Sequence, residues 1–245
     1  MSATPSFRTA RLLTWSGPFM IVNLLAGMVS VHFIPPPSPS SSPQKIANMF
    51  HDHRTAIVFS CVVMMFGWLC WATFCPTVMA LLRKNEGGLP VISYASVALI
   101  GGGMVFFEMI PLTWCVAAYR AGSISPEIIR TLNDWAWFNF LFSAPPFLVW
   151  FVLVAIAILR DTSETPVYPR WAGYTNIWLA VIALPAMAIG FFKTGPLAWN
   201  GLLAFYIPVG TFAVWFTVMT VTTLRAINNA EAAYIAEAAR VPVAV

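Results

Sequence analysis

A single carboxylate, Glu108, lies inside the apolar stretch FFEMIPLTW of residues 106–114. A glutamate is too short to reach water easily from within a bilayer, so it needs a partner or a functional role. The stretch FFKTGPLAW of residues 191–199 repeats the frame FF-x-x-x-P-L-x-W, with Lys193 at the position of the acid. We therefore predict that Glu108 and Lys193 form a salt bridge or share a polar pocket.

Other polar and aromatic side chains are expected at the same membrane level as this pair. Trp114 and Trp199 end the two copies of the frame, and a tryptophan beside a proline is typical of a helix end at the membrane edge. Asp134 and Asn139 open a later apolar segment. The predicted ligand-binding residues are Glu108, Lys193, Asp134, Asn139, Trp114 and Trp199.

Two of the three histidines lie close together in the segment HDHR, residues 51–54. Imidazoles combined with a carboxylate, from Glu108 or Asp134, suit zinc, iron or copper. Residues two apart diverge on a helix, so His51 and His53 can bind one ion only from an extended segment. A metal site and a solvated loop are both open here. No heme is expected, since the one histidine in a predicted span, His32, stands at the end of the first span. Retinal would need a lysine deep in a seventh helix.

The composition defines the class of protein that must position these residues. Of the 245 residues, 59% are hydrophobic and only 9% are charged, whereas soluble domains carry about 25% charged residues. Apolar stretches of about 20 residues between short polar links are typical of helical membrane proteins. We predict an all-α polytopic bundle, a single membrane domain over residues 1–245, with six transmembrane helices. The predicted spans are 14–34, 55–82, 90–118, 133–159, 171–192 and 200–224.

The shared frame is compatible with a tandem hairpin repeat of residues 55–118 and 133–192. Between the spans we predict a Pro/Ser-rich loop over 35–53 and a short interfacial helix over 121–132. Residues 226–245 form a predicted cytoplasmic tail.

The positive charges give an orientation. Eight of the 13 Lys and Arg residues fall on the side of the two termini, which predicts that both termini are cytoplasmic. The net charge of +4 is spread along the chain and gives no basis for nucleic-acid binding. The lipid bilayer is the expected environment, with a membrane-protein partner or a second copy of the chain as an open alternative.

One block of the sequence carries a resemblance. Residues 168–212, YPRWAGYTNIWLAVIALPAMAIGFFKTGPLAWNGLLAFYIPVGTF, resemble a segment of uncharacterised bacterial multi-pass inner-membrane proteins. The resemblance implies a location in the bacterial inner membrane and no particular chemistry.

Three functions fit these observations. The first is binding or transport of a small hydrophobic compound, lipid-like or sterol-like, through a pocket that faces the outer leaflet with Glu108 as its polar handle. The second is an accessory or assembly subunit of a larger membrane complex. The third is a membrane enzyme that uses Glu108 with His51, His53 or Asp134 as an acid–base or metal site. The first is favoured, because polar residues gather on one side without a recognisable catalytic set.

Overall fold

The computed structural model describes residues 6–240, and within this range the chain is all-α. The described residues are 78% helical and contain no strand. Six helical spans are long and apolar enough to cross a membrane, which confirms the predicted six-span architecture. The helices are α1 (Phe7–Ser30), α2 (Pro43–Asp52), α3 (Arg54–Trp68), α4 (Cys70–Leu82), α5 (Val91–Arg120), α6 (Pro126–Leu141), α7 (Pro145–Leu159), α8 (Arg170–Ile182) and α9 (Ile207–Ala238).

Several spans combine two of these helices or a helix and a tighter turn. The second span runs through α3 and α4 to Glu86, and the fourth runs through α6 and α7. The fifth continues from α8 through a 3₁₀ segment, Leu184–Gly190. The sixth opens with a π-helical segment, Leu202–Tyr206, that leads into α9.

The connecting segments are more helical than the sequence predicts. The segment 35–53 contains α2, which Ser42 caps by accepting a hydrogen bond from the Lys45 backbone N–H at 3.3 Å. The helix expected over 121–132 begins at Pro126 but continues to Leu141 as part of the fourth span. Residues 226–238 of the expected tail extend the last span as part of α9, and residues 241–245 lie outside the described part of the chain.

The spans form a closed ring in chain order. Helix α1 packs against α3, α4 and α9, while α5 packs against α3, α4, α6 and α7, and α8 lies between α7 and α9. The centre of the ring is aromatic, and Trp71 lies in its middle with ring centroids at 4.3–6.0 Å from its neighbours. Those neighbours are Phe107, Phe147, Trp150, Phe212 and Phe216.

Two buried polar side chains where α8 meets α9, Asn176 and Tyr168, form hydrogen bonds within the bundle. The Asn176 side chain donates to the Ala172 carbonyl at 2.8 Å and accepts from the Trp215 indole N–H at 2.8 Å. The Tyr168 and Thr223 hydroxyls lie 2.9 Å apart. Since lipid offers no hydrogen bonds, these pairings fix the position of α8 against α9.

The fourth span is broken between α6 and α7, at residues 142–144. Pro145 and Pro146 follow at once and begin α7, where a missing backbone N–H costs no helical hydrogen bond. The same prolines prevent α6 from continuing in register, because each one lacks the donor that an uninterrupted helix needs. The break lies inside the apolar span rather than at its end.

A segment that we call the strap, residues 31–42, closes the end of the bundle at which α2 lies. His32 adopts a left-handed backbone with φ of 58° and turns the chain after α1. Phe33 is fully buried, with its ring centroid 4.4 Å from Trp114 and 5.9 Å from Phe50. The Trp199 indole N–H donates to the Pro37 carbonyl at 2.7 Å and holds the strap down.

At the opposite end, carboxylates organise the links between spans. Glu86 accepts hydrogen bonds from the backbone N–H groups of Ile92 at 2.6 Å and Ser93 at 3.0 Å. It therefore caps the start of α5, where a negative charge is favourable. Asp161 accepts from the Ser163 backbone N–H at 3.1 Å and hydroxyl at 2.6 Å, and from the Val167 N–H at 2.9 Å.

Asp161→Asn should destabilise the loop between α7 and α8. Burial alone would raise the pKa of Asp161, but the hydrogen bonds from Ser163 and Val167 and the charge of Lys84 hold it below its usual range. A depressed carboxyl pKa stabilises the fold above the ordinary pKa of about 4, and the stabilisation is lost as pH falls through the folded-state pKa. We expect the substitution to lower the free energy of unfolding by about 1–2 kcal/mol at neutral pH.

The measurement is detergent-induced unfolding of the parent and the variant between neutral pH and about pH 3, across the ordinary carboxyl pKa. The difference between the two should shrink as the solution becomes more acidic. Glu164→Gln, at an exposed position of the same loop, is the matched control. A difference that stays constant with pH would contradict the role of the ionised carboxylate.

Candidate functional site

Two of the predicted site residues, Asp134 and Asn139, line one groove between α5 and α6. The groove has a volume of about 570 Å³ and follows α6 to the break in the fourth span. Its aromatic walls face outward, with exposed fractions of 36–57%. The aromatic residues of the lining are Phe106, Trp135, Phe138 and Phe142. The remaining lining residues beside Asp134 and Asn139 are Thr131, Ser143, Pro145 and Pro146.

Helical spacing and the helix break together form this groove. Thr131, Trp135, Phe138 and Phe142 follow one another at intervals of three or four residues, so they share a face of α6. Their extent along the helix axis is roughly 16 Å at 1.5 Å per residue. Phe142 also lies against Gly190 of the fifth span, where an added Cβ would come within 3.3 Å of its ring.

The uncharged polar side chains of the groove bond mainly to their own helix. The Thr131 hydroxyl donates to the Glu127 carbonyl at 2.8 Å, and the Asn139 amide donates to the Trp135 carbonyl at 2.8 Å. The Ser143 hydroxyl donates to the Asn139 carbonyl. Such back-bonding satisfies a polar side chain inside a membrane without a partner from another helix.

Asp134 differs from these residues, because it is the one lining side chain that carries a charge. Residues 6–240 contain one salt bridge, which joins Arg11 to Glu231, far from this groove. Arg130 and Lys193 are near enough to act electrostatically on Asp134. Neither of them is among the residues that line the groove.

The predicted salt bridge between Glu108 and Lys193 is wrong. Lys193 is exposed, its backbone carbonyl accepts a hydrogen bond from Ser40 at 3.2 Å, and its charge acts on Asp134. The two copies of the shared frame have different conformations, since 106–114 lie inside α5 whereas 191–199 form a loop. Gly195, with φ of 79°, provides a turn in that loop that the helical copy lacks.

Glu108 lies on a different face of α5 from the groove. It is the 18th of 30 residues in that helix, which places it near the middle of the span. Residues two apart on a helix point about 200° apart, so Glu108 faces away from Phe106, which lines the groove. The carboxylate is half-buried, and its Oε1 atom is buried without a hydrogen-bond partner in the described structure.

Trp114 and Trp199 pack inside the bundle, and the predicted helix end at Trp114 is wrong because α5 continues to Arg120. Trp114 is fully buried and Trp199 nearly so. Both contact Trp137, with ring centroids 5.5 Å and 6.3 Å away, below the strap. Neither residue lines the groove, so the structure gives them a role in packing.

His51 and His53 lie at the end of α2, apart from the predicted carboxylates. The His53 ring packs 4.7 Å from the His32 ring, whereas His51 lies beside Gly122. In the described part of the chain, no three His, Cys, Asp or Glu side chains come together as a metal site would require. The third ligand that the metal hypothesis draws from Glu108 or Asp134 is therefore not beside the two histidines.

A second, smaller space lies at the centre of the ring. This cavity has a volume of about 80 Å³, and every residue that lines it is apolar. Leu141 and Ala144 line it, whereas Phe142 and Ser143 between them line the groove. The break in the fourth span thus separates the groove from the central cavity.

The aromatic and hydroxyl residues of the groove were not among the residues predicted from the sequence. Phe138, Phe142 and Ser143 look like ordinary residues of an apolar span, although Pro145 and Pro146 in mid-span are a signal of a break. The repeated frame drew attention to α5 instead. The residues that form the groove share a helix face with Asp134, and that periodicity was available in the sequence.

The fold is that of an integral membrane protein with six helical spans, and a lateral groove opens between two of them. Comparison of the chain with protein-family models, with curated proteins and with solved structures gives no match.

Proposed function

We propose that this protein binds a small hydrophobic compound that enters the groove sideways from the lipid. The groove between α5 and α6 carries the proposal, since its volume of about 570 Å³ falls within the range of small-molecule sites. Its lining also has the composition of such sites, which are mostly apolar with a few polar groups that fix orientation.

Asp134 takes the role of polar handle that the sequence analysis gave to Glu108. Phe106, Phe138 and Phe142 would hold the apolar body of the compound, and Asp134 would orient its polar end. Because the groove and the central cavity flank the same helix break, movement of that break would carry a bound compound inward. Binding is thus proposed as the first step of transport.

The proposed location in the cell is supported by the sequence alone. We propose a bacterial inner membrane with both termini in the cytoplasm, which turns the groove toward the outer leaflet. The excess of positive charge on the side of the termini and the resemblance of residues 168–212 support this orientation. The roles of assembly subunit and of membrane enzyme stay predictions from the sequence.

Ser143→Trp should block the groove and abolish binding. The probe is a tritiated hexadecanol with a photoactivatable diazirine, added to the purified protein in lipid nanodiscs. We expect labelling within residues 131–146 in the parent protein and a decrease of at least about fivefold in the variant, because the indole fills the space beside the break.

Val149→Trp is the matched control, because this residue is 47% exposed on α7 and does not line the groove. It should leave the labelling of 131–146 unchanged. Labelling spread evenly over all lipid-facing helices, with no decrease in Ser143→Trp, would overturn the proposed function.

A further inference from the structure

We infer that the groove selects hydrophobic cations, meaning amphiphiles whose head carries an ammonium or quaternary ammonium group. The inference rests on the proposed function, because it assigns a ligand class to the same groove. Three features of that groove support the same ligand class: its charge, its aromatic lining and its hydrogen-bond donors.

The charge of the lining has one sign. Asp134 contributes a carboxylate, and no lysine, arginine or histidine lines the groove. A partly buried carboxylate such as that of Asp134 is costly unless a positive charge or hydrogen bonds compensate it. Arg130 and Lys193 act on it from outside the groove, and Asp134 has no salt bridge among the described residues. A cationic head group in the groove would form the direct ion pair that Asp134 lacks.

The aromatic lining suits the same head group. Four aromatic side chains, Phe106, Trp135, Phe138 and Phe142, surround the groove, and the Phe138 and Phe142 rings lie 5.7 Å apart. The electron-rich face of an aromatic ring attracts a cation within about 6 Å, and several such rings together recognise quaternary ammonium groups. The rings simultaneously provide contact for the apolar part of an amphiphile.

The available donors disfavour an anionic head. The hydroxyls of Thr131 and Ser143 and one amide hydrogen of Asn139 are already donated to backbone carbonyls. The second Asn139 hydrogen and the Trp135 indole N–H are uncharged donors, sufficient for a hydroxyl or a carbonyl. A carboxylate, sulfate or phosphate head would meet Asp134 at close range without a cationic partner in the lining.

The test compares three radiolabelled probes with the same dodecyl chain: dodecyltrimethylammonium, dodecan-1-ol and dodecanoate. Affinities are measured by equilibrium binding to the protein in phosphatidylcholine nanodiscs, with empty nanodiscs subtracted. For the parent protein we expect the cation to bind at least about tenfold more tightly than the alcohol, and the anion to bind most weakly.

Asp134→Asn should lower the affinity for the cation about tenfold and change that for the alcohol less than about twofold. Asp134→Glu should restore most of the preference, because it retains the charge. Asp52→Asn, at an exposed position of α2, is the matched control and should change none of the three affinities. Far-UV circular dichroism and elution volume establish that each variant is folded.

The outcomes separate the inference from the proposed function. Equal binding of the three probes, abolished by Ser143→Trp, would leave the groove as a binding site and overturn its selectivity for cations. A preference for the cation that survives Asp134→Asn would also overturn the inference. Binding that Ser143→Trp does not affect would remove the proposed function together with it.

Discussion

Replacement of Trp71 by alanine is expected to lower the free energy of unfolding by about 3 kcal/mol, the lower end of the range for truncation of a buried aromatic side chain. The side chain is fully buried at the centre of the ring, where it stacks on Phe147 with centroids 4.3 Å apart. It also lines the central cavity, so truncation would enlarge a space that already lacks packing. The lower end of the range applies because lipid tails are as apolar as the protein interior. The variant therefore loses packing contacts but little free energy of transfer from water.

The measurement is reversible unfolding in mixed micelles by sodium dodecyl sulfate, followed by far-UV circular dichroism. Trp178→Ala is the matched control, because this tryptophan of α8 is 65% exposed to lipid. It should change the free energy of unfolding by less than about 0.5 kcal/mol. Equal losses in the two variants would show that the aromatic centre does not stabilise the ring.

The spans of this protein were predictable because the length of an apolar run decides whether a helix can cross a bilayer. The second predicted span, 55–82, lies within the observed Arg54–Glu86, and the fifth, 171–192, matches Arg170–Gly190 closely. The helix ends were less predictable. The first helix begins at Phe7 and the last continues to Ala238, since polar residues in water do not end a helix that is held by its neighbours.

The interior contacts were harder to predict, because they depend on segments far apart in the chain. The stretch ending at Trp114 has the residues of a membrane-edge helix end, but Phe33 of the strap covers that tryptophan. The likeness between 106–114 and 191–199 concerned residue types, whereas Gly195 gives the second copy a backbone that a helix cannot have. The inference of a salt bridge assumed that the two positions are structurally equivalent, and they are not.

The grouping of the candidate residues in space was predicted only in part. Asp134 and Asn139 do line one groove, but Glu108 points away from it and the two tryptophans are core residues. The sequence showed which polar residues lie in apolar segments, because this can be read from the order of residue types along the chain. It did not show which of them share a space, because that depends on the break in the fourth span and on the helix that faces it.

Phe33→Ala is expected to release the strap and to lower the free energy of its local unfolding by about 3–4 kcal/mol. Phe33 lies beyond the end of α1, so its burial removes apolar surface from water as well as filling space, and both contributions are lost on truncation. Its ring contacts Phe50 of α2, which ties the strap to that helix. The backbone N–H groups of α2 should therefore exchange with solvent roughly 100-fold faster in the variant or more, since about 1.4 kcal/mol corresponds to a factor of ten.

Hydrogen exchange of α2 followed by mass spectrometry is the measurement, with the peptides of α8 as an internal reference. Ser40→Ala is the matched control in the strap, because it removes only the hydrogen bond to the Lys193 carbonyl and should accelerate exchange about fivefold or less. Phe33→Leu should fall between the two, since it retains part of the buried side chain. If exchange in α2 were the same in Phe33→Ala and in the parent protein, α2 would be held by its own contacts with α6, and the strap would be a passive covering of the bundle end.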